Sequence, residues 1–100
     1  IDLNGTDYII INSGDVGANG FAGSTIYVDG VQATTITAGS WHLIGLTIAT
    51  AKTASDLDIG RVGGVGLFTG TIGDVMLFSA VLNDAEMKSI FEITRRRYSV

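Results

Sequence analysis

Alternation of apolar and polar residues with a period of two dominates the first eighty positions of the chain and predicts β-strands. Residues 7–12 (DYIIIN) carry apolar side chains on both faces, which is typical of a strand covered on both sides. Four glycines fall between residues 13 and 23, together with Asp, Asn and Ser, and this stretch indicates a loop.

The clearest local signal is a β-hairpin over residues 24–35. Asp29 and Gly30 lie between two β-rich arms, and this dipeptide tolerates the positive φ angles of a two-residue type I′ turn. With that turn Tyr27 pairs with Gln32, so one face should be core and the other open or in an interface. The expected core face holds Ile26, Val28, Val31 and Ala33. The expected open face holds Thr25, Tyr27, Gln32 and Thr34.

Three further strands are predicted after this hairpin. Residues 41–50 (WHLIGLTIAT) are the longest apolar candidate and predict a central strand. Leu57 and Ile59 mark another strand, which a glycine-rich connection follows. Residues 69–79 (TGTIGDVMLFS) predict the last strand, in which a Gly-Asp step interrupts the alternation as a bulge. The strands therefore span about residues 7–79.

A single helix is predicted over residues 84–92. Asn83 is a favourable N-cap, and Glu86 three residues later completes a capping box. An apolar stripe of Met87, Ile90 and Phe91 predicts that the helix packs on the sheet. A basic tail over residues 93–100 follows it.

The composition shows more apolar surface than a small chain can bury. Of 100 residues 46% are hydrophobic and 16% are charged, and the mean hydropathy is +0.40. A domain of this size has little stability to spare and usually needs a more charged surface. We therefore expect another copy, a neighbouring protein or the rest of a longer polypeptide to cover part of it.

Charge, the length of the apolar runs and the cysteine content argue against several kinds of ligand and site. The formal net charge is −4, and three of the six basic residues are the adjacent Arg95, Arg96 and Arg97. An acidic body with one short basic tail argues against nucleic acid. No apolar run approaches the roughly 20 residues that cross a bilayer, so no membrane insertion is expected. Without cysteine there is no disulfide framework and no thiolate metal site.

Four sequence segments together resemble the C-terminal half of a concanavalin A-like, laminin G-like module. In chain order they are IYVDGV, SWHLIGLTIAT, LDIGRV and FTGTIGDVMLFSAVLNDAEMKSIF. The resemblance covers about residues 24–98 and implies an all-β, antiparallel β-sandwich (a jelly roll) with one short C-terminal α-helix. Residues 1–100 would then be a single domain, either a whole module or its C-terminal half. The front-sheet strands that such a module carries before residue 7 are missing, which implies that the sandwich is completed elsewhere.

The order of the motifs suggests a setting for the module. Tyr27-Val28-Asp29-Gly30 precedes Trp41-His42 here, and this order resembles modules of tailed-phage fibres, head fibres and decoration proteins. The resemblance implies a non-catalytic structural or interaction module at a virion surface or outside the cell. Its partners would be other copies of the chain or neighbouring structural proteins, and host-surface attachment is a further role that it implies. The alternative is a carbohydrate-binding module detached from an adhesin or a glycan-active enzyme.

The positions of the two glutamates and of the single histidine in the sequence do not predict an active site. Glutamate occurs only at Glu86 and Glu92, so no strand carries the closely spaced carboxylates of a glycosidase. His42 has no accompanying Ser or Cys nucleophile pattern and is expected to be packed and hydrogen-bonded. We expect no catalytic residue and no enzymatic activity.

Three candidate contact sites remain, and each has a structural alternative. Thr25, Tyr27, Gln32 and Thr34 form a candidate glycan or partner face, or a solvated sheet face. Arg95, Arg96 and Arg97 either dock on an acidic neighbour or favour the helix dipole and stay solvated. Asp56, Asp58 and Asp74 are a weak calcium candidate that supplies too few oxygens, so no cofactor or metal is expected. Trp41 is interpreted as core packing in preference to a sugar-stacking platform.

Overall fold

A computed structural model describes residues 1–98 as a mainly β protein with seven short strands and one helix. The strands are β1 (Tyr8–Asn12), β2 (Asp15–Asn19), β3 (Thr25–Val28), β4 (Val31–Gln32), β5 (Ile44–Thr47), β6 (Arg61–Val62) and β7 (Gly66–Leu67). The helix α1 (Asp84–Thr94) is followed by a 3₁₀ turn, Arg95–Arg97. Of the predicted all-β fold with one short C-terminal helix, the small antiparallel sheets and the helix are present. Ser99 and Val100, the last two residues of the predicted basic tail, lie outside the described residues.

The strands form three small antiparallel sheets. β1 pairs with β2, β6 pairs with β7, and a three-stranded sheet has the order β4-β3-β5. A backbone hydrogen bond of 2.7 Å from Val16 to Thr34 joins the first hairpin to the chain after β4. In the three-stranded sheet β3 is the middle strand, so the prediction that residues 41–50 form a central strand is wrong. β5 lies at an edge because no described segment pairs on its other side.

The predicted Asp29-Gly30 turn is confirmed. Both residues have positive φ, 54° and 81°, and Tyr27 pairs with Gln32 as expected. The Asp29 carboxylate braces the turn, because Oδ1 accepts a hydrogen bond of 2.9 Å from the Leu43 N–H. Its Oδ2 lies 2.7 Å from Nδ1 of His42. His42 is thus hydrogen-bonded and packed, as predicted.

Residues 13–23 contain a strand where the sequence predicted a loop. Ser13 and Gly14 have φ of 51° and 87°, which suits a tight two-residue hairpin. Their turn joins β1 to β2 with Asn12 opposite Asp15. Asp, Gly and Asn residues within β2 hid this strand, since all three are depleted in strands.

The helix begins as the sequence predicts and lies against the three-stranded sheet. Asn83 accepts a hydrogen bond of 2.8 Å from the Glu86 N–H, and the Glu86 carboxylate accepts one of 3.0 Å from the Asn83 N–H. Met87 and Phe91 are the buried residues of the helix. Glycines on the sheet let the helix approach closely, because a Cβ at Gly45 would lie 3.0 Å from the Met87 sulfur.

None of the helices formed by residues 1–98 has the length and apolar character that a membrane crossing requires.

Candidate functional site

The helix covers Tyr27 on the hairpin face that the sequence predicted to be open or in an interface. Tyr27 is only 4% exposed, and its hydroxyl donates a hydrogen bond of 2.6 Å to Oδ1 of Asp84. The Gln32 amide donates to the same carboxylate oxygen at 3.1 Å. Thr25 is half-buried, whereas Gln32 and Thr34 are exposed. The expectation of an open face is therefore wrong at Tyr27, because α1 of the same chain packs over its ring.

The hydrogen bond between Tyr27 and Asp84 shifts the pKa values of the two groups in opposite directions. It lowers the pKa of the Asp84 carboxyl, with a smaller contribution from Gln32. It also raises the pKa of the Tyr27 phenol, since ionising the phenol would remove the donor and place two anions together. The pair therefore links helix to sheet most strongly when the carboxyl is ionised and the phenol is neutral.

Tyr27→Phe should lower the thermal unfolding midpoint between about pH 5 and pH 9, because it removes this bond. The depressed carboxyl contributes stability above its unfolded pKa of about 3.9, and that contribution is lost as pH falls through the folded pKa. The raised phenol contributes below its unfolded pKa of about 10, and that contribution is lost as pH rises through the folded pKa. Circular dichroism melts across this range measure the difference from wild type.

Tyr8→Phe is the matched control, since Tyr8 is a half-buried strand tyrosine. It should lower the midpoint less than Tyr27→Phe does at pH 7. A Tyr27→Phe deficit that stays constant from pH 3 to pH 11 would contradict the role assigned to the pair.

The basic tail makes contacts within its own chain. The Arg97 guanidinium lies 2.5 Å from the Asp74 carboxylate. Arg95 lies 3.4 Å from Glu92, and its guanidinium stands 5.0 Å from the centre of the Phe91 ring. Arg96 is exposed. Arg95 and Arg97 thus have carboxylate partners without any second molecule.

The candidate calcium ligands do not come together. Asp58 pairs with Arg61 at 2.9 Å, and Asp74 pairs with Arg97. Across residues 1–98 no group of three His, Cys, Asp or Glu side chains is arranged to hold a metal. Asp56, Asp58 and Asp74 therefore do not form a metal site in this fold.

Trp41 packs against the C-terminal turn, and the prediction that it lies in the core is wrong. Its ring centre is 4.6 Å from that of Tyr98, and 37% of the residue stays exposed. The Tyr98 hydroxyl also accepts a hydrogen bond of 2.9 Å from the Asp74 N–H. A Cβ at Gly73 would collide with the Tyr98 ring, so glycine is required at this close approach.

The most unusual feature is the stretch that joins β7 to α1, residues 68–81, which we call the open segment. Each of its residues is exposed. Its large apolar members are Phe68, Ile72, Val75, Met76, Leu77, Phe78 and Val81. Leu77 is 67% exposed and Phe78 is 55% exposed. A concentration of exposed apolar side chains within one segment indicates an interaction site more strongly than scattered single residues do.

After its first residue, the backbone of the open segment has no main-chain hydrogen-bond partner within residues 1–98. That first residue, Phe68, donates its N–H to the Gly60 carbonyl at 2.8 Å. Between residues 69 and 81 no backbone hydrogen bond to another main-chain group of residues 1–98 is formed, and no strand is present. The sequence predicts a strand over residues 69–79, but the described chain offers it no neighbour.

The total accessible surface agrees with an uncovered face. It is 6444 Å² for a chain of 10.4 kDa. A folded monomer of that mass is expected to expose about 5,400 Å². The excess of roughly 1,000 Å² is close to the ~800 Å² that each partner contributes to a standard protein interface.

Comparisons of this chain with protein-family models, with curated proteins and with solved structures find no match.

Proposed function

We propose that this protein is a non-catalytic assembly module whose role is to make contacts with other structural polypeptides. The open segment is the observation that carries the proposal. It combines exposed apolar side chains with a main chain that, from residue 69 to residue 81, forms no backbone–backbone hydrogen bond within residues 1–98. The free energy falls when a second polypeptide buries the apolar side chains and forms hydrogen bonds with the backbone. A strand-like segment with these properties is also an aggregation hazard unless it is paired.

The setting that we propose is a virus particle. The motif order of the sequence resembles concanavalin A-like modules of tail fibres, head fibres and decoration proteins, which act at the virion surface or outside the cell. In this proposal the three small sheets and α1 are part of a β-sandwich, and the partner completes it. Host-surface attachment would then be a role of the assembled particle.

The positions of the two glutamates support a non-catalytic role. Glu86 is occupied by the capping box of α1, and Glu92 lies 3.4 Å from Arg95. Glycosidases need two carboxylates facing each other across a substrate. Both glutamates of this chain lie on the helix, Glu86 in its N-terminal capping box and Glu92 paired with Arg95.

A carbohydrate-binding module is the second candidate, and Trp41 is the observation that favours it. The residue is partly exposed beside Tyr98, and exposed aromatic faces stack on sugars. Tyr27 does not support this role, because its ring is buried under α1. A glycan array with wild type and Trp41→Ala tests the candidate. Saturable binding that Trp41→Ala abolishes would favour it over assembly.

Binding of an apolar fluorescent dye, together with the sedimentation mass at micromolar concentration, tests the assembly proposal. We expect the chain either to bind the dye at the open segment or to sediment as an associated species. Leu77→Lys should weaken whichever of the two is observed, because it places a charge at the centre of the surface. Val31→Lys is the matched control, since Val31 is 58% exposed on β4 outside the segment.

Two outcomes would overturn the proposal. One is a compact monomer that binds no dye, which would mean that the open segment is covered from within the chain. The other is an equal effect of Leu77→Lys and Val31→Lys, which would mean that the surface is not localised at the open segment.

A further inference from the structure

Resting on the proposed assembly role, we infer that the partner of the open segment is a second copy of this chain, paired antiparallel along residues 72–78 about a two-fold axis near Val75. Each copy would supply the strand that the sequence predicts there. The pairing gives each backbone the hydrogen-bonded neighbour that residues 1–98 do not provide. Antiparallel pairing of identical strands closes the assembly as a symmetric dimer.

The area of the surface supports a dimer. Each copy exposes roughly 1,000 Å² more than a folded monomer of its mass should, from the comparison of 6444 Å² with the monomer expectation. A dimer contact that covered this excess on both copies would bury about 2,000 Å², at the upper end of the standard range of ~1,200–2,000 Å². The exposed surface of the chain therefore leaves room for a contact of the size that stable dimers have.

The open segment carries little charge, so electrostatic repulsion does not oppose the pairing of two copies. Between residues 68 and 82 the only ionisable residue is Asp74. Its carboxylate is already paired with Arg97 of the same chain at 2.5 Å. The contact therefore brings no unpaired like charges together, although the whole chain carries a formal net charge of −4.

The hydrogen bond at Asp74 indicates which edge of the open segment is free to pair with a second copy. The Asp74 N–H donates to the Tyr98 hydroxyl, so Tyr98 occupies the edge to which that N–H points. Consecutive N–H groups of a strand point to opposite edges, so in an extended strand those of Val75 and Leu77 both point to the free edge, opposite to the N–H of Asp74. An axis at Val75 sets Ile72 opposite Phe78 and Gly73 opposite Leu77. Large apolar side chains then face each other at the ends of the pair.

Single-cysteine scanning tests this arrangement, because the 100-residue chain has no cysteine. The variants are Ile72→Cys, Val75→Cys, Met76→Cys, Leu77→Cys and Phe78→Cys. At the two-fold axis identical Cα atoms lie about 5 Å apart, within the reach of a disulfide. Two residues away they lie about 14 Å apart, since each residue adds ~3.4 Å on both strands. The control variant is Val31→Cys, on the exposed strand β4. We expect disulfide-linked dimer to peak at Val75→Cys and to fall to the level of this control at Ile72→Cys and Phe78→Cys.

A measurement on the unmodified chain accompanies the scan. Sedimentation of wild type should give twice the 10.4 kDa of one chain, and Val75→Lys should return it to one. Similar cross-linking at every position would indicate parallel stacking and contradict the antiparallel dimer. A wild-type monomer that binds apolar dye would exclude the second copy but leave the assembly proposal standing. A monomer that binds no dye would overturn both.

Discussion

Phe91→Ala should lower the free energy of unfolding by about 3–5 kcal/mol, the largest effect that we expect from a single side chain. Phe91 is 9% exposed, and it lies where α1 meets the Asp29-Gly30 turn. Truncating its ring removes buried apolar area and leaves a cavity that the short helix fills poorly. A domain of this size has only about 5–15 kcal/mol of net stability, so the loss is a large part of the total.

Ile93→Ala is the matched control on the same helix, because Ile93 is 74% exposed. It should change the unfolding free energy by less than about 0.5 kcal/mol. Urea unfolding followed by circular dichroism measures both variants. Equal losses would show that α1 is not packed on the sheet through Phe91.

Gly30→Ala should destabilise the protein by about 2–4 kcal/mol, for two separate reasons. The residue has a φ of 81°, which costs an L-residue with a Cβ about 1–2 kcal/mol. The added Cβ would also lie 3.0 Å from Cα of Lys88 and 3.1 Å from Cβ of Phe91. Those atoms belong to a packed helix, so relieving the contact requires α1 to move away from the turn.

Gly39→Ala separates the two contributions, since Gly39 has a similar φ of 88° and open space around its Cβ position. Only the backbone cost of about 1–2 kcal/mol applies there. Denaturant melts of the two variants should therefore differ by the cost of displacing the helix. If Gly39→Ala is as damaging as Gly30→Ala, the close approach of α1 to the turn contributes nothing to stability.

The elements that the sequence predicted well have short-range causes. The Asp29-Gly30 turn depends on two adjacent residues that accept positive φ. The start of α1 depends on Asn83 and Glu86, three residues apart. Such signals act within a few residues, and a sequence reader can weigh them without knowing the fold.

The open segment was predictable in part. Its apolar alternation predicted a strand over residues 69–79, and the overall apolar excess predicted a face that something else covers. The sequence did not indicate that these two features are the same surface. That follows from the exposure of Leu77 and Phe78 and from the lack of main-chain hydrogen-bond partners for residues 69–81 within the described residues.

By itself, the sequence determined the local conformations of this protein: the turn at Asp29 and Gly30, the capped helix and the mainly β character. Only the tertiary structure decided which faces are covered. The period-two pattern places Tyr27 on the face that was predicted to be open. The helix α1, which begins more than fifty residues later in the chain, buries Tyr27, and Asp84 accepts a hydrogen bond from its hydroxyl. The physical reason is that burial depends on contacts between distant segments, and period-two alternation distinguishes the two faces of a strand without specifying what packs on either.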